Sequence, residues 1–156
     1  MDLKHKPKEL WDRNPYGKVP VIVDGNVVVY ESAIINEYLD EKYPQIPLMP
    51  KDLGLRSRAR IWIDFCNTRL QAAGGDVAHG NDPEKAKEKV RQHLATLDRE
   101  MANREYIVGE YSLADTTFIP FFTRQQRYGV SIDDSIPHVK RWMERLLARP
   151  AVRATL

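Results

Sequence analysis

The chain of 156 residues has a single cysteine, Cys66, so no disulfide can form within it, and a reducing compartment fits best. It has no apolar run approaching the ~18 residues a membrane-crossing helix needs. The opening Met1-Asp2-Leu3-Lys4 does not read as a signal peptide. Net charge is also scarce. The 24 basic and 22 acidic side chains leave +2, and the basic residues are scattered rather than blocked, which argues against nucleic acid as a partner. His5, His79, His93 and His138 are far apart with no ligand spacing, so no metal site is expected. Neither an internal repeat nor a low-complexity tract is present. What remains is a globular composition, 42% hydrophobic and 29% charged, enough for one core or two small lobes.

The densest information lies in Asn14 to Tyr43, NPYGKVPVIVDGNVVVYESAIINEYLDEKY. Val19 to Val23 is β-branched and bounded by turn residues, which predicts a strand. Asp24-Gly25 predicts a type I′ hairpin turn, and Val27 to Tyr30 the return strand. Glu31-Ser32 then opens an amphipathic helix with Ile34, Ile35, Tyr38 and Leu39 on one face, Ser32 as its N-cap, ending near Tyr43-Pro44. Before this run, Pro7 to Arg13 predicts a short helix that Asn14-Pro15 ends.

Pro44, Pro47 and Pro50 predict a linker. The expected domains are therefore 1–44, a linker at 45–52, and a helical domain at 53–156. Leu55, Ala59, Trp62, Cys66, Leu70 and Ala73 step by three or four and predict one long helix, broken by Gly74-Gly75. Ala86, Val90, Leu94, Leu97 and Met101 repeat the period. Ser112-Leu113-Ala114-Asp115 reads as a capping box with Asp in place of Glu, opening a helix that Pro120 bends. Val139, Trp142, Met143, Leu146 and Leu147 mark a further helix, and Pro150 starts a short last one. Trp62, Phe65, Phe121 and Phe122 are expected in the core, and Cys66, on the apolar stripe, is expected to be a buried small hydrophobe rather than a nucleophile.

The series of turn, Val-Pro, hairpin and Glu-Ser helix resembles the second half of the thioredoxin-like domain of cytosolic glutathione transferases. The Ser-x-x-Asp box resembles the one that opens the buried helix of that family's second domain. The leading LKHKP, with Lys6 before Pro7, is most similar to the omega and dehydroascorbate-reductase branches. The resemblance implies an α/β lobe, a partial thioredoxin-like domain, followed by the all-α glutathione transferase domain. It implies that the family's first strand-helix-strand unit, which carries the catalytic Tyr, Ser or Cys, precedes Met1, so no catalytic residue is assigned. It leaves the outer edge of the Val19 to Val23 strand bare.

By resemblance the bond before Pro20 is cis, the Val19 backbone pairs with the cysteinyl part of glutathione, Glu31 and Ser32 hold its γ-glutamyl end, and Lys6 its glycyl carboxylate. Lys18 is a weaker candidate for that last task. A helix N-terminus at Ser32 independently suits a carboxylate. Glutathione is then a substrate, with no separate cofactor and with a hydrophobic electrophile or a mixed disulfide as second partner. A homodimer and a cytoplasmic location are also implied. The alternative is a non-enzymatic interaction module on the same fold.

Overall fold

A computed structural model describes residues 6–156, so Leu3 to His5 of the LKHKP run lie outside the described residues. The chain divides into two compact units, Met1–Pro47 and Leu48–Leu156. In the first unit, Pro7 stands at the N-cap of helix α1, Lys8–Arg13, where its missing N–H costs nothing. Exposed i,i+4 pairs Lys8–Asp12 at 2.7 Å and Arg13–Glu9 at 2.8 Å brace the helix weakly. Only Leu10 of α1 is buried.

The hairpin consists of β1, Val21–Asp24, and β2, Val27–Tyr30, antiparallel with Val21 opposite Tyr30 and Asp24 opposite Val27. The strand starts two residues later than Val19 because Pro20 has no N–H to give to a ladder. Asp24 is a paired strand residue, so the two-residue turn is Gly25-Asn26 instead of Asp24-Gly25. Gly25 has φ +58 and Asn26 is not among the positive-φ residues, which is the φ pattern of a type II′ turn rather than I′.

Helix α2, Ser32–Lys42, follows directly. Ser32 is its first helical residue, not its N-cap. Glu31 occupies the cap with φ 68 and ψ 118, and its carbonyl accepts the Ile35 amide at 2.9 Å. Ile35 is buried but Ile34 is exposed, so the apolar face is narrower than the sequence pattern suggests. What ties α2 to the hairpin is partly polar: the Tyr38 hydroxyl donates to Asp24 Oδ2 at 2.6 Å, and Lys42 pairs with the same oxygen. Lys42 first, and then Tyr38, hold the Asp24 carboxyl below its ordinary range.

The second unit is helical. Asp52 caps α3, Leu53–Phe65, by accepting from the Leu55 amide at 2.8 Å. A π-helical segment, Cys66–Leu70, joins α3 to α4, Gln71–His79, which ends at Gly80 with φ +77. The helix therefore runs through Gly74-Gly75 rather than breaking there. The reason is packing: a Cβ on Gly74 would lie 3.0 Å from the Tyr128 ring, so glycine lets that ring close on the helix. The remaining elements are α5 (Pro83–Met101), α6 (Leu113–Thr123), a 3-10 turn (Gln125–Tyr128), α7 (Pro137–Leu147) and α8 (Pro150–Arg153).

Ala59, Cys66, Leu70, Val90, Leu97, Phe118, Phe121, Phe122, Trp142 and Leu146 form the core, whereas Trp62 and Phe65 are only half-buried. Trp142 packs on Phe118 at 4.9 Å and on Phe122 at 5.3 Å. The capping box forms, and Asp115 does more than close it. Its carboxylate also accepts from the Ile107 amide at 3.0 Å and Trp142 Nε1 at 2.9 Å, so one buried side chain joins a loop, α6 and α7. Burial nevertheless raises its pKa, outweighing those donors. Helix α7 lacks a cap of its own, and Asp98 of α5 supplies one by accepting the His138 and Val139 amides at 2.8 and 3.0 Å.

Candidate functional site

The hairpin register places four of the five sequence-chosen residues together. Because Val21 pairs with Tyr30, Pro20 and Glu31 leave the ladder at the same end, with Val19 and Ser32 next beyond them. The Val19–Pro20 peptide bond is cis. Val19, Pro20, Glu31 and Ser32 are all exposed. The Val19 backbone stands outside the ladder, and the amides of Ser32, Ala33 and Ile34 precede the first α2 hydrogen bond, with no side-chain cap on them. That end of the hairpin thus offers backbone donors, the positive end of an 11-residue helix and one carboxylate, Glu31.

Glu31 is held there in a strained form. A φ of 68 with ψ 118 is unfavourable for any residue with a Cβ, at a cost of about 1–3 kcal/mol. Such strain persists where surrounding structure imposes it, here the immediate passage from β2 into α2.

The loop before Val19 is fixed by a residue that the sequence reading used only as a helix terminator. Asn14 is buried at 1% exposure. Its Nδ2 donates to the Lys18 carbonyl at 2.8 Å, its Oδ1 accepts the Tyr16 amide at 3.0 Å, and its own carbonyl accepts the Gly17 amide at 2.8 Å. Gly17 has φ +55, and a Cβ there would sit 2.6 Å from the Trp11 ring. Asn14, Gly17 and Trp11 together clamp residues 14–18 and so set the position of Val19. The Asn-Pro-x-Gly spacing was the available signal, since Asn side chains close such loops on their own backbone.

Lys6 lies apart from this cluster in its contacts: its ammonium stands 5.5 Å from the centroid of the Trp11 ring. An open cleft lined by Pro7, Glu9, Leu10, Arg13, Val19 and Val21 adjoins the hairpin end. Lys18 contributes its carbonyl to the Asn14 clamp. Cys66 is in the other unit and fully buried, with Sγ 3.5 Å from the Thr117 carbonyl. Burial pushes its thiol up to about 12, so it is held as the inert thiol. Among the described residues no group of three His, Cys, Asp or Glu side chains is placed to hold a metal ion. No helix among them is long and apolar enough to cross a membrane.

The glutathione S-transferase N-terminal domain model matches residues 1–47, and the glutathione S-transferase C-terminal domain model matches residues 64–150. Glutathione S-transferase U28 of Arabidopsis thaliana is 31% identical over 166 residues, covering 99% of this chain and 74% of that protein. The chain belongs to the glutathione S-transferase family. Glutathione S-transferase U19 of the same plant is also 31% identical, covering 99% of this chain and 75% of that one.

Among solved structures, glutathione S-transferase 1-6 from Anopheles dirus species B superposes with a TM-score of 0.85 at 27% identity, covering 94% of this chain and 74% of that chain. A glutathione S-transferase from Methylobacillus flagellatus, solved with glutathione bound, gives 0.82 at 28% identity, covering 94% and 79%. Ure2p in complex with glutathione gives 0.89 at 24% identity over 98% and 81%, a likeness of fold. The family fold, a small thioredoxin-like part with two strands followed by a helical domain, is the one described above. Members of the glutathione S-transferase family take glutathione as substrate without a separate cofactor.

Proposed function

We propose that this glutathione S-transferase binds glutathione at the open end of the hairpin. The Val19 backbone, beside the cis bond to Pro20, pairs with the cysteinyl part of the tripeptide. Glu31 accepts from the γ-glutamyl ammonium, while Ser32 and the first amides of α2 hold its carboxylate. Lys6 turns from Trp11 to the glycyl carboxylate. The observation that carries the reading is the coincidence, at one hairpin end, of a non-ladder backbone, an uncapped helix start and a strained acid.

The bound tripeptide then gives its sulfur to a hydrophobic electrophile or exchanges with a mixed disulfide. What these residues supply is orientation of the tripeptide. Within the family, an omega or dehydroascorbate-reductase-like branch rests on the LKHKP run with Lys6 before Pro7, and the plant relatives named above lend it no support, so the proposal is framed for the family. A homodimer in the cytoplasm is the corresponding expectation for its assembly and location.

Calorimetry tests the site. Ser32→Ala is expected to weaken glutathione binding by roughly 1–3 kcal/mol, the loss of one charge-assisted hydrogen bond. Equal affinity would remove Ser32 from the site. The second reading is a non-enzymatic binding module on the same fold; the burial of Cys66 bears on neither, since the reacting sulfur is that of glutathione. Turnover of an aryl halide or of a glutathione mixed disulfide at ordinary enzyme rates, ~10 per second, would decide for the transferase. Tight glutathione binding with no turnover would decide for the module.

A further inference from the structure

On the second unit, the antiparallel run of the π segment and α4 against α5 leaves a groove whose charges are not neutralised internally. Two contacts fix its register. The Phe65 ring meets the His93 ring edge-on at 5.4 Å. Further along, Asp76, Asn81, Asp82, Lys85, Ala86 and Lys89 line one cavity of about 270 Å³. Burial first, and then the cationic Arg69 and Lys89, lower the His93 pKa, so both cations lie near the His93 ring.

Phe65, Arg69 and Asp76 lie on one side, four and seven residues apart, and His93, Lys89, Lys85 and Asp82 on the other, three or four apart. Ala86 is buried and forms a small-residue floor. Opposite charges share this groove, yet among the described residues none of Arg69, Lys85, Lys89, Asp76 and Asp82 makes an ion pair, whereas the adjacent Lys87 and Arg91 pair with Glu84 and Glu88 at 2.8 and 3.6 Å. The Asp76 carboxylate accepts only a long hydrogen bond, from Asn81 Nδ2 at 3.5 Å. The groove therefore carries unpaired charge of both signs, with Asp76 and Asp82 beside Lys85 and Lys89 in the cavity and Arg69 toward His93.

We propose that this groove binds a small zwitterion with excess carboxylate, the chemistry of glutamate or a short γ-glutamyl peptide. The ammonium lies against Asp76 and Asp82, and the carboxylates against Lys85, Lys89 and Arg69. Lys85 and Lys89 are about 6 Å apart along the helix, comparable to the span between the two carboxylates of glutamate. Each exposed pair is weak, so the site selects ligands that engage both signs of charge together. A plain anion satisfies the lysines but meets the two aspartates, and is disfavoured.

The test is an amide-resolved NMR titration of the full chain at low salt with L-glutamate, γ-glutamylglycine and inorganic phosphate. Residues 76–89 are read, and they lie in a different unit from the hairpin, so failure here leaves the glutathione proposal standing. Saturable shifts with L-glutamate and γ-glutamylglycine are expected, weakened at least ~10-fold in a Lys85→Glu/Lys89→Glu variant. The Lys85→Gln/Lys89→Gln variant, which keeps the side-chain bulk, should show the loss in the same direction with an unchanged thermal midpoint. Absence of saturable shifts, equal or stronger binding of phosphate, or undiminished binding in both variants would overturn the proposal.

Discussion

Replacing Glu31 with glycine pulls apart two roles that the native residue combines. Its backbone sits at φ 68 and ψ 118, and relief of that strain is worth about 1–3 kcal/mol. Glycine gives back roughly 0.5–1 kcal/mol through the greater freedom of the unfolded chain. The side chain is exposed and has no capping hydrogen bond, so its removal costs folding little. The net expectation is a gain of about 1 kcal/mol, read as a rise of ~2–4 °C in thermal midpoint for a protein of this size.

Binding should move the other way. The carboxylate that accepts the ligand ammonium is gone, and the loss of a hydrogen bond to a charged group, ~1.5 kcal/mol at an exposed site, weakens glutathione about tenfold. Glu31→Ala is the control, losing affinity equally while keeping the strain and gaining no stability. Scanning calorimetry and isothermal titration of the three proteins suffice. A glycine variant that binds glutathione as tightly as the native chain would refute the assigned role, and one with no gain in midpoint would refute the strain argument.

Asn14→Ala should destabilise the first unit by about 2 kcal/mol, since the Tyr16 amide and Lys18 carbonyl lose their partner; denaturation should show this together with weaker glutathione binding, because Val19 is no longer held. Asp115 has a folded pKa raised by burial, so its ionisation contribution is complete below the ordinary value of 3.8 and lost as pH rises through the folded value. The native chain should accordingly lose stability relative to Asp115→Asn as pH climbs from acid to neutral, and a native midpoint that rises relative to the variant's would contradict this. Cys66, with its thiol pushed up to about 12, should resist a thiol reagent at mildly alkaline pH until the protein unfolds; rapid labelling of the native state would overturn its place in the core.

Much of this was legible because local and tertiary preferences agree. The β-branched runs around Gly25, the three-four stripes of α5 and α7, and the Ser112–Asp115 box each form where the pattern puts them. The departures occur where another contact overrides the local preference. Serine ordinarily caps a helix, but the turn out of β2 is so abrupt that Glu31 takes the cap position with positive φ, which no sequence pattern announces for a residue with a Cβ. Two adjacent glycines normally stop a helix, at ~1 kcal/mol each, yet Gly74 is kept helical because the Tyr128 ring rests on it. The π segment at Cys66–Leu70 and the borrowed cap from Asp98 depend on partners distant in sequence and could not be read along the chain. At the candidate site, the gathering of Val19, Pro20, Glu31 and Ser32 at one hairpin end follows from the strand and turn pattern, whereas the clamp at Asn14 depends on where its buried side chain points.

The central claim is that the open end of the hairpin is where glutathione sits. An amide-resolved NMR titration with glutathione tests it directly, because every residue reports separately. The account predicts saturable shifts concentrated at Val19, Val21 and Glu31 to Ile35, diminished in Ser32→Ala, with the α2 C-terminus unmoved. Saturable binding that leaves those amides unchanged, or no binding at millimolar glutathione, would contradict it.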